Sequence, residues 1–380
     1  MEKQALRSGF TTGTCAAAAA KAAAACLLLH KMDDEIAIVT PKGLMVHLKA
    51  EADSEDDKLC CFRVQKDAGD DPDVTNAAWI YASVESRPKK IEPVWYQSEQ
   101  FPQLYLTGGR GIGMVTKPGL ACPVGKYAIN PIPRQMIYEA VAEVAVCAAY
   151  VEDLLIRIQI PEGVKLAEKT FNPKLGIVGG ISILGTSGIV EPMSEQALLD
   201  TIRLEIHMQA AMGRQEIILT PGNYGEHFLQ EELQLPLSHA VKCSNFVADT
   251  IAMLEEEGIT SLLLVGHLGK LIKVAGGVPN THSKYGDRRM EILAGYVRNT
   301  DLGEQIQRAN TTEDALEMLQ KAGCMEMVME AVVRAIQEVL MVWGHGKIRI
   351  EVVTFSLVYG ILGKSRDADS LIEHWKRENL

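Results

Sequence analysis

His267, Lys270 and Lys273 are evenly spaced just after an apolar run, and Asn280, Thr281, His282 and Lys284 follow a glycine and proline stop. These side chains offer ammonium groups for carboxylates or phosphates, imidazoles for proton transfer, and amide and hydroxyl groups to orient a ligand. The elements around them are legible. Leu262 to Val265 can be hidden on both faces, as a buried strand is. Gly266 permits a sharp turn, and Gly269 permits close approach of the backbone. Leu271, Ile272, Val274 and Ala275 carry a helical stripe that Gly276, Gly277 and Pro279 end. A strand, a glycine turn and a short helix place the whole set near one strand end, where open α/β sheets bind their ligands. The plain alternative is a strand–helix unit followed by a polar surface loop.

A second set lies at the start of the chain. Thr11, Thr12 and Thr14, flanked by Gly9 and Gly13, lead into an alanine-rich run to Leu29. A helix start with free amides and hydroxyls suits an anion, although a simple N-cap needs only one threonine. An alanine helix is also narrow, so another backbone or a flat ligand can pack against it. Farther on, Lys66-Asp-Ala-Gly-Asp-Asp-Pro-Asp-Val-Thr75 gathers four aspartates without the calcium-loop spacing. Capping accounts for Asp73 and leaves Asp70 and Asp71 as site candidates. Thr107-Gly-Gly-Arg-Gly-Ile-Gly113 resembles a phosphate loop, but the dinucleotide pattern fails at Met114 or at Thr116. The P-loop pattern also fails, with Leu120, Leu264 and Val358 where its first glycine belongs. A flexible loop with Gly109, Arg110 and Lys117 remains, better suited to carboxylates than to a nucleotide.

Composition limits the function classes. The 380 residues are 47% apolar and 23% charged, as in a folded globular chain long enough for two domains. A net charge of −11 argues against nucleic acid and anionic membranes as partners. Eight cysteines show no metal-ligand spacing, and Cys15, Cys26, Cys147 and Cys243 sit among small apolar residues. They read as free thiols in a reducing, cytoplasmic compartment. Thr14–Leu29 has the apolar character of a signal segment, but Lys21 interrupts it and a glycine–threonine motif precedes it. No H-E-x-x-H, G-x-S-x-G or zinc cluster occurs, and no metal ligands are assigned.

The hydrophobic pattern predicts two domains, one α+β and one α/β. Residues 1–160 form an α+β domain with a mixed or antiparallel sheet and the alanine-rich helix. Strands are expected near residues 35–40, 44–48, 60–65, 101–106 and 154–160, with a helix from Pro131. Residues 161–380 form a Rossmann-like parallel α/β domain, because strand and helix patterns then alternate. Its loops after Ile177, Leu219 and Val265 are expected along one glycine-rich edge. Gly179, Gly180, Ser182, Gly185, Thr186, Ser187, Gly188, Thr220, Gly222, Asn223 and Gly266 would there hold a nucleoside-bearing cofactor. Asn223 stands where an ordinary Rossmann site carries a ribose-binding acid.

Four motifs in order resemble the cobalt-precorrin-5B C1-methyltransferase family over roughly residues 5 to 365. They are Arg7-Ser-Gly-Phe-Thr-Thr-Gly-Thr-Cys-Ala-Ala, the Lys66–Thr75 loop, Thr107-Gly-Gly-Arg-Gly-Ile-Gly, and Gly266-His-Leu-Gly-Lys-Leu-Ile-Lys with Asn280-Thr-His-Ser. The resemblance implies methyl transfer from S-adenosylmethionine to carbon 1 of a cobalt-bound corrin precursor, as in anaerobic cobalamin synthesis. Cobalt would arrive only within the substrate. Arg7, Arg110, Lys117, Lys270, Lys273 and Lys284 are then expected to meet the acetates and propionates of the macrocycle. Thr11, Thr12, Thr14, Asp70, Asp71, Gly109, Asn280 and Thr281 complete the expected substrate set. His282 is the first candidate for a base and His267 the second. The corrinoid is expected on the first domain and the methyl donor on the second. The resemblance leaves room for a homo-oligomer and for transient contact with other corrin-pathway enzymes. An NAD(P)-dependent oxidoreductase and a non-enzymatic tetrapyrrole carrier are the competing classes.

Overall fold

A computed structural model describes residues 6–56, 58–298 and 300–378. The chain divides into two compact units, residues 1–194 and 195–380. The expected boundary near residue 160 therefore moves to residue 194. The reason lies in three short ladders that tie the glycine-rich stretch to earlier segments. Ile177–Val178 pairs with Met114–Val115, Gly180–Ile181 with Gly111–Ile112, and Ile189–Val190 with Gly9–Phe10.

The first unit is built on a helix pair and a mixed sheet. Its elements are α1 (Thr12–Leu29), β1 (Glu51–Asp56), β2 (Leu59–Gln65), β3 (Trp79–Ser86), β4 (Tyr96–Gln97), β5 (Leu104–Gly108), α2 (Pro131–Cys147) and β6 (Leu154–Gln159). The sheet order is β1-β2-β3-β6-β5-β4, with β6 parallel to β5 and antiparallel to β3. Cys60, Phe62 and Val64 on β2, Ile80, Ala82 and Val84 on β3, and Leu154, Ile156 and Ile158 on β6 alternate toward one core. That core is completed by α1 and α2. Ala16 to Ala20 on α1 are fully buried, since a side chain of one methyl lets the second helix and the sheet approach closely. The helix α1 is long and apolar enough to cross a membrane by length and composition, yet most of it is buried in this core. None of the eight cysteines forms a disulfide, and only Cys147 is exposed. The hairpin Glu35–Val39 and Met45–Lys49 forms as expected, turning at Gly43.

The second unit is three-layered. It contains α3 (Glu195–Ala211), β7 (Glu216–Thr220), α4 (Asn223–Glu231), β8 (Ala240–Lys242), α5 (Val247–Glu256), β9 (Ser261–His267), α6 (Leu268–Ala275), α7 (Thr312–Lys321), α8 (Met325–Trp343), β10 (Arg349–Ser356), β11 (Gly360–Lys364) and α9 (Ala368–Glu378). The strands lie in the order β8-β7-β9-β10-β11, parallel except for β11. Ile217 and Leu219 with Leu262 and Leu264 face α3, α5, α6 and α8, whereas Ile218, Leu263 and Val265 face α4 and α9. The apolar run of β9 is thus buried on both faces, as its sequence predicts. The sequence reading ended the fold at β10 and missed β11 and α9. Ala368, Leu371, Ile372 and Trp375 recur at helical spacing and seat α9 in the core.

Candidate functional site

The chain runs from β7 through α4 to β8 on one side, and β9 and β10 continue on the other side. The strand order therefore reverses between β7 and β9. Their carboxyl ends open a crevice at this switch point, where parallel sheets of this kind take their ligands. Thr220, Gly222 and Asn223 leave β7 at this edge, and Gly266, His267 and Lys270 leave β9. The loop after β8, Cys243-Ser-Asn245, is the third contributor.

The loop after Ile177, expected as the third, lies in the first unit. Its glycines serve close packing there. A Cβ on Gly180 would lie 2.2 Å from the Gly111 carbonyl oxygen, and one on Gly185 would lie 2.3 Å from the Thr11 hydroxyl. Ser182 donates to the Asn172 side chain at 3.2 Å, and Ser187 donates to the Ile189 carbonyl at 2.7 Å. Gly188 accepts from the Thr14 hydroxyl at 2.7 Å, while Gly179 and Thr186 are exposed. This segment and the edge of the second unit do not form one glycine-rich rim within a single domain.

The same segment covers the start of α1. The Leu184 carbonyl accepts from the Gly13 amide at 2.9 Å, and Leu184 N donates to the Thr12 hydroxyl at 2.9 Å. Thr11 caps the helix through the Thr14 amide at 3.2 Å. The three threonines thus bind one another and the chain rather than leaving an open anion site. The aspartate loop is likewise internally satisfied. Arg7 forms a two-pronged pair with Asp67 at 2.5 and 2.8 Å, and its amide donates to Asp70 at 2.6 Å. Asp71 accepts from the Met193 amide at 3.0 Å. The Arg7 guanidinium and the Gly69 amide hold the Asp67 carboxyl below its ordinary value. Lys117 reaches the Lys174 carbonyl at 3.4 Å, beside a crowded Gly176. Gly109 packs on Gln159, and Arg110 is exposed with no side-chain partner among the described residues.

In the second unit the loop 279–286 is tied to the crevice. Lys273 is buried, and its ammonium donates to the carbonyls of Thr281 at 3.2 Å and Gly286 at 3.1 Å. Lys273 therefore pins the loop from within and is not presented to a ligand. Thr281 is also buried, with its amide on the Asn245 carbonyl at 2.9 Å and its hydroxyl on Asn245 Oδ1 at 3.3 Å. Asn245 Oδ1 accepts from Lys270 Nζ as well, at 2.9 Å, and the Ser244 carbonyl accepts from the same ammonium at 3.2 Å. Burial, with Lys242 and Lys273 nearby, lowers the Lys270 pKa below the ordinary lysine value. Asn280 accepts from the His282 amide at 3.0 Å. Lys284 is exposed, paired with Glu195 and lying over the Tyr285 ring.

The two histidines share one geometry. His267 caps α6, with Nδ1 accepting from the Gly269 amide at 3.1 Å, and His282 Nδ1 accepts from the Lys284 amide at 3.0 Å. In each neutral ring the proton then sits on Nε2, which offers a donor rather than a basic lone pair. His267 Nε2 lies 3.1 Å from Glu313, and its ring packs against Tyr224 and edge-on to Phe355. His282 is exposed, and its Nε2 has no partner among the described residues. In this arrangement both rings hold their own loops through Nδ1.

Sequence reasoning missed Asn245, which ends the connection from the second strand of the sheet. With residues 177–190 outside this sheet, β7 is its first strand and Asn223 begins the helix that follows it. The position of the ribose-binding acid therefore corresponds to the loop holding Asn245, not to Asn223. The available signal was Lys242-Cys-Ser-Asn245 directly before a helix, with Ser244 in the left-handed region at φ 53°. Thr220, fully buried at the end of β7, has a hydroxyl without a partner among the described residues. A half-buried ammonium, a carboxamide and an orphaned hydroxyl at a switch point fit a polar ligand bearing a carboxylate.

Comparison with known proteins agrees with the motif resemblance. The family model CbiD matches residues 1–192, and the model CbiD, C-terminal domain, matches residues 280–366. A protein of Ruminiclostridium cellulolyticum named cobalt-precorrin-5B C(1)-methyltransferase is 42% identical over 92% of this chain and 89% of its own length. One of the same name from Alkaliphilus metalliredigens is 41% identical over 99% of this chain and 96% of its own length. A crystal structure of cobalamin biosynthesis protein (cbiD) from Archaeoglobus fulgidus is 27% identical, covering 71% of this chain and 80% of that chain with a TM-score of 0.39. With one family model spanning half of the chain and relatives aligned over almost all of it, the chain belongs to the CbiD family.

Proposed function

We propose that this protein methylates carbon 1 of cobalt-precorrin-5B, giving cobalt-precorrin-6A, with S-adenosylmethionine as methyl donor. The step belongs to anaerobic cobalamin biosynthesis. The observation that carries this reading is the near full-length likeness to relatives named for that reaction. When bound, the donor supplies an electrophilic sulfonium methyl group and leaves as a neutral thioether. The protein's share is to hold a nucleophilic ring carbon in line with that methyl, and such positioning accounts for much of the rate in a transfer between two bound molecules.

The second unit is read as a Rossmann-like domain that takes the donor, and the first as the corrinoid side. Support for the donor side comes from the β7–β9 crevice, with Gly222, Asn223, Lys270 and Asn245 at its mouth. Of the first-unit cations expected to meet the substrate, Arg110 is the exposed one without a side-chain partner among the described residues, which suits it to a macrocycle carboxylate. His282 Nε2 offers a further donor to such a group. The protein is taken to work in the cytoplasm.

The test is incubation of purified protein with cobalt-precorrin-5B and S-adenosylmethionine carrying a trideuterated methyl group. A product heavier by one trideuteromethyl group, with label at carbon 1, supports the reading. Corrinoid bound but unchanged would point to a carrier, and nicotinamide-dependent conversion would point to an oxidoreductase.

A further inference from the structure

Lys270 differs from the other lysines around it. Lys242 pairs with Glu226 at 3.3 Å, Lys284 pairs with Glu195, and Lys273 is enclosed by two carbonyls. Lys270 is half-buried, donates only to the uncharged oxygens of Ser244 and Asn245, and pairs with no carboxylate among the described residues. A desolvated ammonium without a counter-charge is costly, and an anionic ligand is the group that would offset it. The space in front of it is kept open by a glycine: a Cβ on Gly222 would stand 3.1 Å from Lys270 Nζ. Gly222 also has φ at 103°, where other residues are strained.

Asn245 completes the arrangement. Its Oδ1 is held by both Lys270 and Thr281, which fixes the carboxamide and leaves both hydrogens of its Nδ2 without a protein partner among the described residues. Lys270 and the carboxamide it bonds thus supply an ammonium and an amide N–H on neighbouring side chains, the donor types that the two oxygens of one carboxylate take.

We propose that Lys270 and Asn245, with Gly222 as the open wall, form a carboxylate subsite at the β7–β9 switch point. The proposal rests on the methyltransferase reading for the identity of the ligand. That reading supplies two sources of the same chemistry, the amino-acid carboxylate of the methyl donor and a side-chain carboxylate of the macrocycle. Neither the motif resemblance nor the relatives' names assign this group to Asn245 or set Gly222 against Lys270.

Calorimetric titrations separate the outcomes. The probes are S-adenosylhomocysteine, its decarboxylated analogue and cobalt-precorrin-5B, each titrated against the wild type, Lys270→Met and Asn245→Asp. The Asp variant places a carboxylate beside Lys270, so it keeps the fold while occupying the ammonium from within. Both variants are expected to weaken S-adenosylhomocysteine about 10- to 100-fold, the scale of a charge-assisted pair, and to leave the decarboxylated analogue unchanged. The same loss confined to the corrinoid supports the subsite and assigns its carboxylate to the macrocycle. Equal weakening of S-adenosylhomocysteine and its decarboxylated analogue, or unchanged affinity for every probe, overturns the proposal. Wild-type protein that binds the corrinoid but no S-adenosylhomocysteine would instead refute the donor reading, and the corrinoid arm would still test the subsite.

Discussion

Replacing His267 by alanine separates a positioning role from a catalytic one. The substitution removes four contacts at once: the cap on the Gly269 amide at 3.1 Å, the Nε2 contact to Glu313 at 3.1 Å, and ring packing against Tyr224 at 6.2 Å and edge-on against Phe355 at 5.7 Å between ring centres. A lost N-cap costs about 1 kcal/mol. The contact to Glu313 is partly solvated, so about 0.5 kcal/mol is its share, and the ring packing adds about 0.5–1 kcal/mol. The sum is about 2 kcal/mol, felt first where α6 leaves the sheet. Amide exchange measured by mass spectrometry should show faster opening of residues 268–275 by about 30-fold, the equivalent of that free energy. His267→Asn retains a capping side chain and should recover about half of the loss. Methyl transfer by His267→Ala should fall through weaker donor binding, with a maximal rate within about tenfold of wild type. A variant with unchanged exchange in residues 268–275 and a maximal rate lower by about a thousandfold would refute this reasoning and make His267 the base.

Three further outcomes follow from the geometry. Gly180→Val forces a side chain against the Gly111 carbonyl and should lower the melting temperature of the protein, with a cost of about 3 kcal/mol or more, read by circular dichroism. Asp287 is held at about 2, chiefly by its hydrogen bonds from Arg289. Since this lies below the ordinary value of 3.8, its stabilising share is complete above that value and is lost as pH falls toward about 2. The site is solvent-exposed, so Asp287→Asn should produce a small flattening of the melting-temperature profile over that window. Burial pushes the Cys15 and Cys243 thiols up to about 12, so native protein should expose one fast-reacting thiol, Cys147, to a disulfide reagent, and unfolded protein all eight.

Much of this architecture is legible in the sequence because burial leaves period and length. The run Leu262–Val265 and the stripe on Leu271 to Ala275 are read at nearly their observed limits, since each is a regular element with ordinary stop signals. The edge formed by the loops after Thr220 and Val265 was also accessible. The error concerned glycine. Residues 176–188 resemble a ligand loop, but glycine is equally required where two backbones cross, as Gly180 and Gly111 do. Composition cannot distinguish a chain that approaches a ligand from one that approaches itself. Counting that stretch as a strand of the second domain shifts the strand numbering by one and puts Asn223 at the position that belongs to the loop of Asn245. Lys273 shows a second limit. Its spacing from Lys270 suggested a shared face, yet the return of loop 279–286 buries one ammonium and leaves the other at the crevice.

The most direct test of the account is where the methyl donor protects the chain. Amide exchange of the full-length protein should be measured with and without saturating S-adenosylhomocysteine. Slower exchange is expected in residues 220–225, 243–248 and 266–273 of the second unit, with residues 9–14 and 179–188 unchanged. Protection confined to residues 9–14 and 179–188 would contradict it, placing the donor at the start of α1 and leaving the switch-point crevice to another ligand.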